Sequence, residues 1–134
     1  MSILKDVLKK AVSLDASDVH LKPHYVPFFR VHGSLLESGF EEVTPEHMLE
    51  IVRDIMPEHL VKEYEDDHEA DFSLQEEGVG RFRVNVFMAQ GIPAIVMRYV
   101  KADIPTLEQL RLPPQLKALA SAERGIILLS GTTG

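Results

Sequence analysis

The chain has no cysteine and no tryptophan among its 134 residues. Without thiols, a disulfide framework and any thiolate metal site are excluded, and a reducing compartment suits the composition. No apolar run is long enough to span a bilayer. The amino-terminal MSILKDVLKKAVSLD breaks its apolar residues with lysines, unlike a secretory signal. A cytoplasmic location is therefore expected. Basic residues are outnumbered, 14 Lys and Arg against 21 Asp and Glu, for a net charge of −7. That argues against a broad nucleic-acid surface, which binds by displacing counterions with basic groups. Aromatics are few, but hydrophobic residues reach 45%, enough to bury one core of ordinary size.

The charge is uneven along the chain. Six acids crowd the stretch from Glu63 to Asp71 (Glu63, Glu65, Asp66, Asp67, Glu69, Asp71), whereas Gly78 to Ala102 has none and carries Arg81, Arg83, Arg98 and Lys101. Such a local reversal of sign is more informative than the total.

Ile3, Leu4, Val7, Leu8, Ala11 and Val12 recur at helical spacing and predict a first amphipathic helix. Residues 17–22 read as a strand with Val19 and Leu21 on one face. Residues 28–32 read as a second strand, and Gly33-Ser34 as a tight turn into Leu35-Leu36. Thr44-Pro45-Glu46 starts a helix whose expected buried stripe is Met48, Leu49, Ile51, Val52, Ile55 and Met56. Pro57 opens a further helical turn with Leu60, Val61 and Tyr64. Strands follow around 70–74, 81–88 and 92–100. Ile104-Pro105-Thr106 and Pro113-Pro114 punctuate two short helical segments. The continuous apolar run Ile126-Ile127-Leu128-Leu129 suits a strand buried on both faces of a parallel sheet.

The expected fold class is α+β, with a mainly antiparallel sheet flanked by helices. Its boundaries are 1–100 for the domain, 101–124 for a linker and 125–134 for the first strand of an α/β domain whose other strands the chain does not contain.

If Arg83 sits opposite Arg98, then Phe82, Val84 and Val86 share a side with Tyr99, Met97 and Ile95. The opposite side carries Arg81, Arg83, Asn85 and Arg98. A slip of one residue would put Arg98 on the apolar face, so this register is favoured. Like charges directly across a sheet repel by a few tenths of a kcal/mol up to ~1. Something anionic should offset that. Either the acidic run at 63–71 forms a salt-bridge network with these arginines, or the triphosphate of a nucleotide does so.

The end of the chain, Ser130-Gly131-Thr132-Thr133-Gly134, is a glycine-rich turn after an apolar run. In a phosphate loop, G-x-x-x-x-G-K-[ST], backbone amides cradle the phosphates and the lysine reaches the terminal ones. Gly131 fits the first glycine; the second and the lysine would fall just past the last residue. The motif alone also fits an ordinary turn.

Taken in order, Ala16-Ser17-Asp18-Val19-His20-Leu21, Arg30-Val31-His32-Gly33, Gly80-Arg81-Phe82-Arg83-Val84-Asn85-Val86-Phe87, Ile104-Pro105-Thr106-Leu107-Glu108-Gln109-Leu110 and the stretch from Arg124 to Gly134 resemble the PilT/PilU-type pilus-retraction ATPases, within the secretion ATPases of type II and type IV systems. The resemblance covers essentially the whole chain. It implies a PAS-like amino-terminal domain, a linker, and a RecA-like motor domain entered at 125–134 and truncated in its Walker A loop, of which Gly131, Thr132, Thr133 and Gly134 are a part. It also implies a cytoplasmic homohexamer, peripheral to the inner membrane through the pilus machine. The expected partners are the chain's own motor domain, neighbouring subunits and the inner-membrane platform; nucleic acid is not among them. ATP and Mg2+ are the cofactors of the full-length ATP hydrolase. The 134 residues alone are expected to be inactive and to hold neither. In this family, arginines of the amino-terminal domain reach the outer phosphates of ATP. By position these are Arg83 and Arg98, with Arg81 a third candidate. The linker wording leans slightly towards PilU.

Two other readings compete with the motor. One is a stand-alone PAS-like interaction or ligand-sensing module; the other is a scaffold with no nucleotide role. His20, His24 and His32 are conceivable metal ligands, but Pro23 and Pro27 disrupt any fixed spacing and no metal site is expected. Asp18 and His20, two apart on a strand, form either an acid–base pair or a structural hydrogen bond. The acidic run either contacts a basic partner or is a solvated helix end.

Overall fold

In the computed structural model the described residues run from Ile3 to Gly131. The chain divides into two compact units, Met1–Ala102 and Asp103–Gly134.

The first unit opens with helix α1 (Ile3–Ser13), whose Leu4, Val7, Leu8 and Ala11 are buried. Asp15, at a φ of 54°, turns the chain out of the helix. Strand β1 (Asp18–Leu21) buries Val19 and Leu21, as its alternation predicts. Strands β2 (Phe28–Val31) and β3 (Ser34–Glu37) form a hairpin in which Val31 faces Ser34. The two linking residues, His32 and Gly33, have φ of 47° and 86°. Positive φ at both central positions is what a two-residue hairpin turn requires to match strand twist. Helix α2 (Pro45–Ile55) starts as its sequence says: the amide of His47 donates to Thr44 Oγ1 at 3.2 Å, and Pro45 needs no partner at the first position.

One expected core residue of α2 is not in the core. Met48, Ile51 and Val52 are buried, but Leu49 is 57% exposed. A helix lying on a sheet buries a stripe of about 100°. Leu49 is turned ~100° from Met48 and falls outside it. A 3-10 turn (Glu58–Leu60) leads into α3 (Val61–Asp67), which ends at His68 in the left-handed conformation. Strands β4 (Glu69–Glu76), β5 (Gly80–Ala89) and β6 (Ile92–Val100) complete a six-stranded sheet of order β3-β2-β1-β6-β5-β4, antiparallel at every pairing.

The register places Arg83 opposite Arg98, Phe82 opposite Tyr99, Val84 opposite Met97 and Val86 opposite Ile95, as the alternation requires. One sheet face therefore presents Val19, Leu21, Phe29, Phe82, Val84, Val86, Ile95 and Met97 to the buried residues of α1 and α2, forming one core. The other face carries no helix residue of that core and bears the polar side chains of the strands.

The second unit contains α4 (Gln115–Ala120). Only one of the two expected helical segments is a helix. The other is a turn closed by reciprocal bonds, Thr106 N–H to Gln109 Oε1 at 2.8 Å and Gln109 N–H to Thr106 Oγ1 at 3.2 Å. The strand expected from Gly125 is not formed among residues 125–131, and Ile126, Leu128 and Leu129 are almost fully exposed. A strand needs neighbours for its amides and carbonyls, and this unit offers none among the described residues. No helix among them is long and apolar enough to cross a membrane.

Candidate nucleotide-phosphate site

Because side chains alternate along a strand, the register that buries Phe82 and Val84 sends Arg83 and Arg98 outward together. The pairing continues on both sides. Arg98 faces Asp18 on β1, Asp18 faces Arg30 on β2, and Arg83 faces Ser73 on β4. A transverse row thus crosses the outer face: Arg30, Asp18, Arg98, Arg83, Ser73.

The predicted repulsion between the two arginines is offset from both ends. Arg98 Nε donates to Asp18 Oδ1 at 3.0 Å, and Arg83 Nε donates to Asp71 Oδ1 at 3.2 Å. Asn85, next to Arg83 on the same face, donates to Glu69 Oε1 at 3.0 Å and Asp71 Oδ2 at 3.3 Å. The acidic run therefore splits. Its strand residues Glu69 and Asp71 brace the arginine face, while Glu63, Glu65, Asp66 and Asp67 stand exposed on α3. Of the two opposed arginines, the acidic run pairs with Arg83 and not with Arg98 among the described residues; the partner of Arg98 comes from 80 residues away. No local pattern signals that contact, since Asp18 reads simply as the outward position of a short strand.

Both pairs are made through Nε. Among the described residues the paired Nη nitrogens of Arg83 and Arg98 have no partner. Their side chains are 72% and 70% exposed, so the guanidinium groups are tethered along one edge and open along the other. With Asp18, Asp71, Asn85 and Val96 they line a depression of about 190 Å3. Arg81 shares the face but not the depression. It has no ion pair among the described residues and lines a separate recess with Gln75, Gly80, Tyr99, Val100 and Ala102.

Asp18 is the one buried acid of the site. Burial alone would raise its pKa, but the Ser17 hydroxyl, the Arg98 hydrogen bond and the Arg98 charge outweigh it and hold the carboxyl below 3.8. His20 sits two residues on. Burial first, then the charge of Arg30, holds its imidazole below 6.5, so it is neutral at physiological pH. Among the described residues Asp18 and His20 share no hydrogen bond: Asp18 accepts structural hydrogen bonds from Ser17 and Arg98 instead, and the buried Nε2 of His20 has no partner. Among the described residues no three His, Asp or Glu side chains are grouped to hold a metal. In the glycine-rich terminus, Gly131 is exposed, and Thr132, Thr133 and Gly134 lie outside the described residues.

No family model matches the chain. It is 33% identical over 96% of its length to the type IV pilus ATPase PilU of Pseudomonas aeruginosa, covering 34% of that protein. It is 35% identical over 81% of its length to a twitching motility protein of Neisseria gonorrhoeae, covering 29% of it. The crystal structure of the pilus retraction motor PilT with bound ADP superposes on 91% of this chain with a TM-score of 0.80 and 33% identity, over 36% of that chain. The chain thus spans about a third of the length of the proteins it matches.

Proposed function

Starting from the chain's membership of the PilT/PilU-type pilus ATPases, we propose that it is the nucleotide-sensing portion of an ATPase that powers pilus retraction. Residues 1–100 are then the PAS-like domain, 101–124 the linker, and 125–134 the entry to a RecA-like motor domain. In the full-length ATP hydrolase, Arg83 and Arg98 contact the outer phosphates of Mg2+-bound ATP, with Arg81 as a third cation on the same face. The parent works as a cytoplasmic homohexamer docked on the inner-membrane platform of the pilus machine.

The observation that carries this reading is the pair of directly opposed, outward-facing guanidinium groups with free Nη edges. Arginines beneath carboxylates could not serve; at 70% and 72% exposure these two can. A planar fork suits phosphate oxygens, and two forks side by side spread charge over a transferring phosphoryl group without covalent chemistry. The second support is the likeness to a motor solved with a bound nucleotide. A ligand-sensing module is disfavoured, because Phe29, Phe82, Val84, Val86, Ile95 and Met97 fill the inner face and are fully buried.

The test is Arg83→Ala and Arg98→Ala in the full-length parent. Each should lower ATP turnover by on the order of 10²-fold or more, with little change in melting temperature. Wild-type turnover in both variants would leave a scaffold as the better description.

A further inference from the structure

The two arginines are not held in equivalent ways. Asp71 is 49% exposed and divides its oxygens between Arg83 and Asn85. Asp18 has only 8% of its side chain exposed, and its two oxygens have separate duties. Oδ2 accepts from the Ser17 hydroxyl at 2.8 Å, which fixes the carboxylate plane. Oδ1 is left for Arg98 Nε at 3.0 Å. Arg30, on the other side of Asp18, does not compete for Oδ1. Its Nη1 donates to the Gly33 carbonyl at 3.1 Å, and its Nε lies 3.8 Å from Oδ2. Arg30 therefore supplies balancing charge to a buried carboxylate while turning towards its own hairpin.

We propose that Asp18 is a positioning residue for Arg98, orienting its guanidinium so that the free Nη edge faces the phosphates, with Ser17 fixing Asp18 in turn. The inference rests on the reading of Arg98 as a phosphate contact and adds the group that sets its geometry. An arginine side chain free in solvent samples many rotamers, and ordering it upon binding costs affinity or rate. A buried, doubly bonded carboxylate removes that freedom beforehand, so the fork is in place when the phosphates arrive. Asp71 holds Arg83 more loosely and should matter less. A carboxylate beside a phosphate site also repels the anion. That opposite role predicts faster turnover or tighter ATP binding when Asp18 is neutralised.

The experiment measures kcat and KM for ATP in the full-length parent with Arg98→Ala, Asp18→Ala, Asp18→Asn and the Asp18→Ala/Arg98→Ala double variant. Positioning predicts that Asp18→Ala lowers kcat by about the same factor as Arg98→Ala, with KM changed by less than about threefold. It predicts that the double variant is no worse than Arg98→Ala alone, since both remove one unit. Asp18→Asn, which keeps an acceptor for Nε, should recover most of the loss. Wild-type or faster turnover in Asp18→Ala, beside a crippled Arg98→Ala, overturns the positioning role and leaves the phosphate reading standing. Unimpaired Arg98→Ala removes the phosphate reading and this inference with it. Should Asp18→Ala not fold, the Arg98 Nε–H resonance of the 134-residue chain decides. It should be protected from exchange in the wild type and in Asp18→Asn; an unprotected signal in the wild type overturns the proposal.

Discussion

The two faces of the sheet are made by alternate residues of the same strands, yet they obey different physics. On the inner face Phe82, Val84, Val86, Ile95 and Met97 are sealed from water. Their worth lies in area and shape. On the outer face Arg83 and Arg98 remain mostly in solvent, and the Arg83 pair with the half-exposed Asp71 contributes little to stability. One face decides whether the chain folds; the other is free to carry chemistry. The lesson is that strongly charged side chains can be placed side by side if the opposite face supplies the stability.

The sharpest break in that contrast is Phe82→Ala. The ring is fully buried and lies 5.3 Å from that of Tyr99. Its removal should cost about 3–5 kcal/mol, enough to threaten folding at ambient temperature, as a denaturant titration would show. Gly80→Ala comes next. Gly80 has a φ of 147°, and an added Cβ would lie 2.7 Å from Tyr99 Cε2. A loss of about 1–3 kcal/mol is expected, again read by denaturant titration. On the outer face, Arg83→Ala should change stability by less than about 1 kcal/mol while abolishing most turnover in the parent. A loss like that of Phe82→Ala would mean that the faces are not divided as described.

Acidification gives a gentler test. His20 has its folded pKa depressed below 6.5 by burial and by Arg30, so its folded neutral form contributes fully above 6.5. As pH falls below 6.5 the unfolded chain takes up the proton first, and stability declines towards the folded pKa. Asp18, also depressed, contributes above 3.8 and loses that contribution as pH falls through its folded value. Melting temperature should therefore decline in two steps on acidification. His20→Phe should remove the first and leave the second; a first step that survives the substitution would point to another group.

Much of the fold was legible because period-two alternation and helix signals are local. Thr44-Pro45 marked the start of α2, and the apolar sides of residues 82–86 and 95–99 allowed one sensible register. Leu49 was misread because composition shows that a helix has a buried stripe but only the packed sheet shows how wide it is. The apolar run 126–129 reads as a strand, yet hydrophobicity specifies no partner, and without one the ladder does not form. The site was half legible: the arginines were visible, and so was an acidic run able to reach one of them, but not the acid that holds the other.

By itself, then, the sequence determined that Arg83 and Arg98 leave the sheet on the same side, because any other register would bury a guanidinium among Val, Phe and Met. Only the tertiary structure decided that Asp18 lies beside Arg98, because the order of strands across a sheet is set by which long-range pairings close the common core. That order brings β1 against β6 across most of the domain's length, and nothing in either strand's own residues records it.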